Sequence, residues 1–478
     1  MPDRRTFLAG AGAASGLTAL GALPVAAWSP GEHPLPGSGG PLYERILTMP
    51  VDDAHCHPLT FDDARTTPDG FVERLSLSAF PLPRYFPDGV YAEWRSGDAA
   101  TRRRLDAEHG IEATRREVIR HARETVFMKA LVKEMAAFLD TEPTLEAVIE
   151  ARNERGRDYA GYLGALFRDA GIANAMVDTG YAEGLDGAGV ERFEAAIRPT
   201  RSRRLLRADT LLARLTELDV PFDELERRFR AEVDQGLDGD GNLGAPSYGM
   251  KSYLLPRLGL LKPLWDRQVA ARSWDRFRAA RREGALPRPD GVDRDEYWRI
   301  QGDALRYLHS AALEACLERD VPMQFHAGDG EAPRGIMRLQ DPFLMEEMIR
   351  FERDGVMRRP KVVLIHAGYP LVGKAAWICH LYPNAYFELS LVTPLIHHGL
   401  LRTYLEVMES VPLSKILYGS DAYHLPELYW LGAKWSRRFL AQALGRYVDG
   451  GQLGLDEAEE AARRILHGNN REVYGLDA

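Results

Sequence analysis

The sequence is poor in cysteine and has no excess of positive charge. Its 478 residues include only three cysteines, Cys56, Cys316 and Cys379. Cysteines so few and so widely spaced exclude a disulfide framework and a cysteine-based zinc knuckle. The formal net charge of −9 at pH 7 argues against a basic surface for nucleic acid. We therefore expect neither a disulfide-stabilised fold nor a nucleic-acid partner.

Long hydrophobic runs are absent beyond the N-terminal segment. After residue 27 no stretch approaches the roughly 18 uninterrupted apolar residues of a membrane-spanning helix. Internal repeats are absent too, and low complexity is confined to a short Gly/Pro-rich stretch near the N-terminus. A composition of 45% hydrophobic and 27% charged residues is typical of globular proteins. The sequence predicts no stable membrane span once the N-terminal segment is removed.

The N-terminal segment predicts export. In "DRRTFLAGAGAASGLTALGALPVAAW", Arg4 and Arg5 precede a mildly apolar run rich in Gly and Ala. This is the form of a twin-arginine signal, and the small residues before Ala27 provide a cleavage site. An uncleaved anchor is the alternative, but Pro24 and the glycines make a poor permanent span. We expect a signal over residues 1–27 and a periplasmic or extracellular protein.

A linker and one large domain are predicted to follow. Residues 28–45 are rich in Gly and Pro and predict a linker. Beyond it, eight short apolar segments predict strands, mostly with helical sequence between them; they are residues 46–57, 172–180, 202–209, 247–255, 321–328, 361–368, 385–391 and 415–422. Alternation of strand and helix implies parallel pairing, and eight such units fit a closed (β/α)₈ barrel. We predict an α/β barrel of the TIM type over residues 46–478.

Two gaps between predicted strands are too long for simple loops. Both are rich in charge: in residues 98–170 apolar residues recur every three to four positions, a helical period, and residues 262–300 carry Trp265, Trp274 and Trp298. A separate helical domain is the alternative, but no Pro/Gly-rich boundary flanks either segment. We predict helical insertions after the first and fourth strands, at the end of the barrel that tolerates elaboration.

Five polar residues stand in equivalent positions along the predicted strands. In "VDDAHCH", His55 and His57 are two residues apart, so in a strand both imidazoles point to one face. His326, His366 and Asp421 likewise end apolar runs. Because parallel strands of a barrel open on one face, all five side chains should converge. Single histidines at strand ends usually only pack, but this combination is typical of a metal site.

The motifs that contain these residues resemble a known family. The stretches "MQFHAGDGE", "VLIHAGYP", "ILYGSDAYHLPELYWLGAKWSRR" and "ILHGNNREVYGL" are similar to the amidohydrolase-related (amidohydrolase 2) branch of the amidohydrolase superfamily. Within it, the chain resembles the domain that precedes a glutamine-synthetase-like domain in FluG-type and nodulin-like proteins. The resemblance extends from about residue 46 to the C-terminus and is strongest after residue 320.

The resemblance implies a role for each of the clustered residues. His55, His57, His326 and Asp421 would hold one divalent metal, zinc by preference, and Asp421 would also carry a proton from water to the leaving group. His366 would either polarise the scissile carbonyl or bind a second metal. Members with two metals bridge them with a carboxylated lysine on the fourth strand, as Lys251 could here; the alternative is that Lys251 points outward or pairs with a carboxylate.

The resemblance also limits the possible functions. The first expectation is a metal-dependent hydrolase of a C–N bond in a small carboxylate-bearing substrate, which Arg207 and Arg257 could bind through their forked guanidinium groups. A single-zinc decarboxylase of the same branch is the alternative, and a barrel that has lost catalysis is a third. Barrels of this superfamily often pair, so a homo-oligomer is compatible with the sequence.

Overall fold

The computed structural model describes most of the chain after its N-terminus. The described residues are 40–61, 64–79, 82–87, 89–180, 187–239, 245–286, 294–328, 337–397 and 399–476. The predicted export signal over 1–27 and the first part of the predicted linker lie outside them. No helix among the described residues is both long enough and apolar enough to cross a bilayer.

Eight parallel strands form the barrel that the sequence predicts. They are β1 (Val51–Cys56), β2 (Ile172–Asp178), β3 (Arg201–Arg207), β4 (Met250–Ser252), β5 (Met323–His326), β6 (Val362–Ile365), β7 (Ala385–Glu388) and β8 (Ile416–Leu417). Each pairs with its neighbours in chain order. Seven lie within the predicted segments, and β3 begins one residue before its segment, at Arg201; β4 and β8 are much shorter than predicted.

Backbone hydrogen bonds just beyond β8 close the barrel against β1. The Ala54 N–H donates to the Tyr418 carbonyl at 3.0 Å, and the His57 N–H donates to the Ala422 carbonyl at 3.0 Å. Between them, the Asp421 N–H donates to the His55 carbonyl at 2.7 Å. The last strand therefore delivers Asp421 directly beside the two histidines of the first.

Helices surround the strands and fill the two predicted insertions. Between β1 and β2 lie α2 (Pro68–Ala79), α3 (Val90–Ser96), α4 (Ala99–His109), α5 (Ile111–Arg123), α6 (Val126–Leu139), α7 (Leu145–Arg155) and α8 (Tyr159–Ala170). Side chains of Asp98, Thr125 and Thr144 accept backbone N–H groups at the starts of α4, α6 and α7, which stabilises those helix ends. The first insertion is confirmed as helical, but its helices begin at Pro68, about 30 residues before the predicted boundary at 98.

The remaining helices follow the strands in turn. After β2 and β3 come α9 (Gly187–Ala196), α10 (Ala208–Thr216) and α11 (Phe222–Asp238), and the second insertion region holds α12 (Leu254–Leu258), α13 (Arg267–Arg282), α14 (Arg294–Ile300) and α15 (Gly302–Glu318). Then follow α16 (Glu346–Arg350), α17 (Val372–Leu381), α18 (Val392–Leu395), α19 (Gly399–Met408), α20 (Pro426–Asp449), α21 (Leu455–Arg463) and α22 (Asn469–Tyr474). A two-stranded hairpin, Glu352–Arg353 with Val356–Met357, lies between β5 and β6.

The predicted linker over residues 28–45 is too long at its C-terminal end. A helix, α1 (Pro41–Thr48), begins within it, with Pro41 in its first turn, where a missing N–H costs nothing. Leu42 and Ile46, four residues apart, are buried, and α1 packs against α20 and α21. The linker prediction was wrong for residues 41–45, because it followed the Gly/Pro content of the preceding residues and overlooked the helical spacing of Leu42 and Ile46.

Hydrophobic side chains pack on both faces of the strands. The larger layer lies between the strands and the surrounding helices, and α20 is buried along most of its length there. The smaller one fills the barrel interior and is made of Ala54, Met176, Leu205, Val363, Ile365 and Leu417 with Val473, Tyr474 and Leu476 from the C-terminus. Apolar side chains therefore occupy much of the interior below the strand ends, although Gln324 is buried there and donates to the Ala54 carbonyl.

Asp209 connects the end of β3 to the segment after β4. Its carboxylate accepts the backbone N–H groups of Tyr253 at 2.7 Å and Leu254 at 3.1 Å, which caps the start of α12. His309 Nε2 lies 3.5 Å from the same carboxylate. Burial alone would raise the pKa of Asp209, but the bond to His309, the charge of Arg207 and the backbone N–H together lower the pKa to about 2.

Replacing Asp209 with Asn is expected to destabilise the protein by about 2–3 kcal/mol at pH 7, because one pKa unit corresponds to about 1.4 kcal/mol and an unfolded aspartate titrates near pH 4. A lowered folded pKa stabilises the protein above about pH 4, and this contribution is lost as the pH falls toward 2. Urea unfolding of Asp209→Asn against wild type from pH 7 to pH 3 measures this, with exposed Asp275→Asn as control. A pH-independent difference would contradict the assignment.

Candidate metal centre

Two histidines of β1 meet an aspartate that follows β8. His55 Nε2 lies 3.1 Å from Asp421 Oδ1, and His57 Nε2 lies 3.2 Å from the same oxygen. All three residues are buried. The two imidazole centroids are 5.0 Å apart at a steep angle. The alternation of side chains along β1 thus places both rings on the inner face, as predicted, with Cys56 facing the outer layer.

His326 and His366 extend this cluster across the barrel. His326 is the last residue of β5, and His366 follows β6 directly. Their ring centroids are 4.4 Å apart, and the His366 ring lies 5.5 Å from that of His55. His366 Nδ1 is 3.8 Å from Asp421 Oδ2. The structure therefore brings together all five residues that the sequence places at strand ends.

The backbone at two of these residues is strained. His366 has φ 69° and Asp421 has φ 54°, in the left-handed region that side chains other than glycine rarely adopt. Such strain persists only where surrounding contacts impose it, and it concentrates at functional sites. Here it turns both side chains to the face where the strands end.

Lys251 also lies inside the site. It is in β4, is buried, and places Nζ 3.4 Å from His55 Nε2. Arg207, at the end of β3 and in register with Lys251, donates to Asp178 Oδ2 at 2.8 Å and places Nε 3.4 Å from Asp209. Arg207 is therefore engaged by two carboxylates, which makes it a support of the site rather than the expected carboxylate-binding residue.

Arg257 lies one aromatic ring away from the histidines. It is in α12, is largely buried, and its guanidinium carbon is 5.9 Å from the centre of the Tyr253 ring. The Tyr253 ring lies 4.7 Å from that of His326. Of the two arginines predicted to bind substrate, Arg257 has the position that suits this role better.

Asp178 is a site residue that the sequence analysis missed. It ends β2, is fully buried, and places Oδ2 4.0 Å from His57 Nδ1. The signal was present, because Asp178 follows the apolar run "IANAMV" as Asp421 follows its own. One ligand atom from each of His55, His57 and Asp178 falls within 4.8 Å of the others, and the same holds for His55, His366 and Asp421. His326 belongs to neither of these two groups.

Burial keeps the histidines neutral. It lowers the pKa of His55, His326 and His366 well below the usual value, and the charges of Lys251 and Arg207 lower these pKa values further. Neutral imidazole is the form that binds metals. Among the described residues, His326 Nε2 and His366 Nε2 are buried without a hydrogen-bond partner, an expensive arrangement unless something else binds them.

These residues fit a divalent metal. Imidazole nitrogens with a carboxylate oxygen are the donors of catalytic metal sites, and the buried Nε2 atoms of His326 and His366 have no hydrogen-bond partner among the described residues. The donor atoms of the cluster are therefore of the kind that suits the metal site predicted from the sequence.

Buried carboxyl groups stand behind the cluster. Asp53 accepts the Ser420 N–H at 2.8 Å and the Ser420 hydroxyl at 2.5 Å, which ties β1 to the β8 end. Glu388, at the end of β7, accepts the His366 N–H at 3.2 Å. Burial raises the pKa of Asp53 to about 7 and that of Glu388 to about 8, although hydrogen bonds oppose both shifts. The sequence analysis assigned neither residue.

The loop after β8 forms one side of the site mouth. The Tyr423 ring lies 6.2 Å from that of His57 and 4.5 Å from that of His424. Burial, together with the charges of Arg74 and Arg95 from the first insertion, lowers the pKa of His424 to about 3. Helices of the insertion thus supply positive charge near the entrance.

Comparison with known proteins finds a matching family. Residues 266–476 match the family model described as Amidohydrolase. The resemblance to the amidohydrolases is confirmed. Over 268 residues the chain is 27% identical to Protein fluG of Emericella nidulans, a match that covers 55% of this chain and 29% of that protein. The chain therefore spans less than a third of the length of that relative.

Solved structures share the fold of this chain. A presumed metal-dependent hydrolase from Lactobacillus casei superposes with a TM-score of 0.65 at 21% identity, covering 91% of this chain and 98% of its own. Uronate isomerase from Thermotoga maritima gives 0.55 at 12% identity, with 91% and 96% covered. Glucuronate isomerase from Caulobacter crescentus gives 0.54 at 14% identity, with 91% and 93% covered. At these identities the likeness establishes the fold.

Proposed function

We propose that this amidohydrolase-like protein is an exported metal-dependent hydrolase that cleaves the C–N amide bond of a small, carboxylate-bearing substrate. The observation that supports it is the cluster of buried neutral imidazoles around Asp421, with the Nε2 atoms of His326 and His366 unpartnered among the described residues. The family match and the presumed hydrolase from Lactobacillus casei point the same way.

His55, His57, His326 and Asp421 would hold the metal, zinc by donor preference. When bound, a zinc ion supplies a Lewis acid that makes a water molecule acidic near neutral pH. Asp421 lies between the β1 histidines and His366, where its carboxylate could accept a proton and deliver it to the leaving nitrogen. Lys251, with Nζ 3.4 Å from His55 Nε2, would add a further ligand if the site held two ions.

Arg257 would bind the substrate carboxylate. Its guanidinium carbon lies 5.9 Å from the Tyr253 ring, which in turn contacts His326. Only the Tyr253 ring separates Arg257 from His326, so a small substrate could reach both the guanidinium and the metal centre. A guanidinium can bind a carboxylate through two parallel hydrogen bonds, which fixes the orientation of the substrate.

The proposal is tested by incubating zinc-loaded protein with a panel of N-acyl amino acids and γ-glutamyl amides. Released amine and released carbon dioxide are both measured. Amine release that disappears in Asp421→Asn is expected. In Arg257→Met, KM should rise for carboxylate substrates and change little for the matching neutral amides, because only the former use the guanidinium. Carbon dioxide release without amine would overturn hydrolysis in favour of decarboxylation.

Export is proposed from the sequence of residues 1–27. Twin-arginine transport carries folded proteins, which suits a chain that acquires its metal before export. Changing Arg4 and Arg5 together to Lys should retain the protein in the cytoplasm of a host with this pathway, as cell fractionation would measure. Unchanged export of the double variant would contradict a twin-arginine route.

A further inference from the structure

Asp421 lies in a turn that the regular sheet does not hold. Strand β8 ends at Leu417, and the backbone at Asp421 is left-handed, with φ 54°. A residue with positive φ departs from the extended conformation of a strand. The buried backbone N–H groups on either side of Asp421 therefore need partners outside the ladder, and those partners determine what holds Asp421 in place.

Two buried side chains, Asp53 and Ser420, bind these N–H groups. The Ser420 N–H, just before Asp421, donates to Asp53 Oδ1 at 2.8 Å. The Ala422 N–H, just after it, donates to Ser420 Oγ at 3.0 Å. Ser420 Oγ and Asp53 Oδ2 are 2.5 Å apart, so the two side chains also bind each other. Both are fully buried, and we call them the Asp53–Ser420 clamp.

The clamp also contacts the histidine side of the metal centre. Asp53 Oδ1 accepts the His55 N–H at 3.3 Å in addition to the Ser420 N–H. The Asp421 N–H in turn donates to the His55 carbonyl at 2.7 Å. One carboxyl oxygen therefore fixes the backbone of His55 relative to the turn that carries Asp421. These are the two residues whose Nε2 and Oδ1 atoms lie 3.1 Å apart.

The clamp has the same geometry whether or not Asp53 is ionised. Oδ1 accepts two N–H groups, which can only donate, so a proton on this carboxyl group would lie on Oδ2. Oδ2 faces Ser420 Oγ, and a hydroxyl can accept as well as donate. The contact is therefore a hydrogen bond in both protonation states, and the turn is held in both.

We propose that Asp53 and Ser420 are positioning residues that hold the left-handed turn at Asp421 and so set the position of its carboxylate against the β1 histidines. The role rests on the metal site of the proposed hydrolase. The clamp residues would not bind the metal themselves, because they bind each other and the backbone. Residues that orient metal ligands typically change metal affinity about 10- to 100-fold.

The zinc dissociation constant of the full chain, measured by competition with a chromophoric chelator, tests this role without a substrate. Asp53→Ala should weaken zinc binding about 10- to 100-fold, because two N–H groups lose their acceptor. Asp53→Asn should keep most of the affinity, because its amide oxygen still accepts both N–H groups and its NH₂ can donate to Ser420 Oγ. Ser420→Ala is a smaller change, useful if Asp53→Ala does not fold, and should also weaken binding.

Asp52→Ala is the matched control. Asp52 precedes Asp53 in β1 and is also buried, but it accepts Asn174 Nδ2 at 2.8 Å and Arg471 Nε at 2.7 Å. Its loss should therefore lower stability without changing the turn at Asp421. Thermal unfolding of the metal-free proteins should show lower stability in both Ala variants, whereas only Asp53→Ala should lose zinc affinity.

Wild-type zinc affinity in Asp53→Ala and Ser420→Ala would overturn the proposal. An equal loss of affinity in Asp52→Ala would contradict it too, since the effect would then follow from strand stability alone. So would equal losses in Asp53→Ala and Asp53→Asn, because the amide keeps the acceptor. Wild type that binds no zinc would overturn this role together with the metal centre. If the affinities follow the expected order but no amide is hydrolysed, the proposed function alone has failed.

Discussion

Replacing Asp421 with Asn is expected to lower kcat/KM by about 10³-fold or more, the loss typical of a positioned acid–base group, and to weaken metal binding as well. The reason is geometric, since one carboxyl group lies 3.1 Å from His55, 3.2 Å from His57 and 3.8 Å from His366. An asparagine of nearly the same shape keeps the packing but loses the negative charge and the basic oxygen. Steady-state kinetics on purified, zinc-loaded variants measure the loss.

The control for this variant is Asp449→Asn at the exposed end of α20. It makes the same chemical change far from the strand ends, so its activity and metal content should equal those of wild type. Circular dichroism and thermal unfolding establish that both variants are folded. An Asp421→Asn protein that kept full zinc and more than a tenth of the activity would remove Asp421 from the mechanism.

Replacing Arg152 with Met is expected to lower the free energy of unfolding by about 3–5 kcal/mol, the typical cost of removing one member of a buried ion pair. Arg152 Nε lies 2.6 Å from Glu427 Oε1, and both side chains are essentially inaccessible, at 0% and 1% exposure. Tyr162 donates to the same oxygen at 2.9 Å. Without Arg152, the Glu427 charge is left buried without its cationic partner.

This ion pair joins the first insertion to the metal centre. Arg152 is in α7, and Glu427 is in the first turn of α20, six residues after Asp421. Urea unfolding should show that the double variant Arg152→Met/Glu427→Leu is more stable than Arg152→Met alone, because it removes the unpaired charge. A single variant that loses less than about 1 kcal/mol, within the range of exposed ion pairs, would show that the pair contributes little.

The strands and the five strand-end residues could be predicted because their signals are local. An apolar run that ends in His or Asp specifies both a buried strand and the position of its polar end, and the parallel barrel then makes the ends converge. The same rule applied to "IANAMVD" and "AYFE" would have found Asp178 and Glu388. They were missed because carboxylates after apolar runs are common, and nothing local shows which side chain faces them.

Other features depend on contacts between distant parts of the chain. Arg207 resembles a substrate-binding residue in the sequence, but Asp178 and Asp209 engage it in the fold. Helix α1 owes its burial to α20 and α21, which begin almost 400 residues later. Local patterns carry no information about such partners.

Metal content per protomer tests most directly whether the histidines at the strand ends and Asp421 bind a divalent metal. Inductively coupled plasma mass spectrometry on wild type, Lys251→Ala and a His55→Ala/His57→Ala double variant is the measurement. We expect close to one zinc in wild type and in Lys251→Ala, and almost none in the double variant. Two ions in wild type that fall in Lys251→Ala would make Lys251 a bridging ligand. Wild-type protein that binds no divalent metal, even after incubation with zinc, would contradict the account.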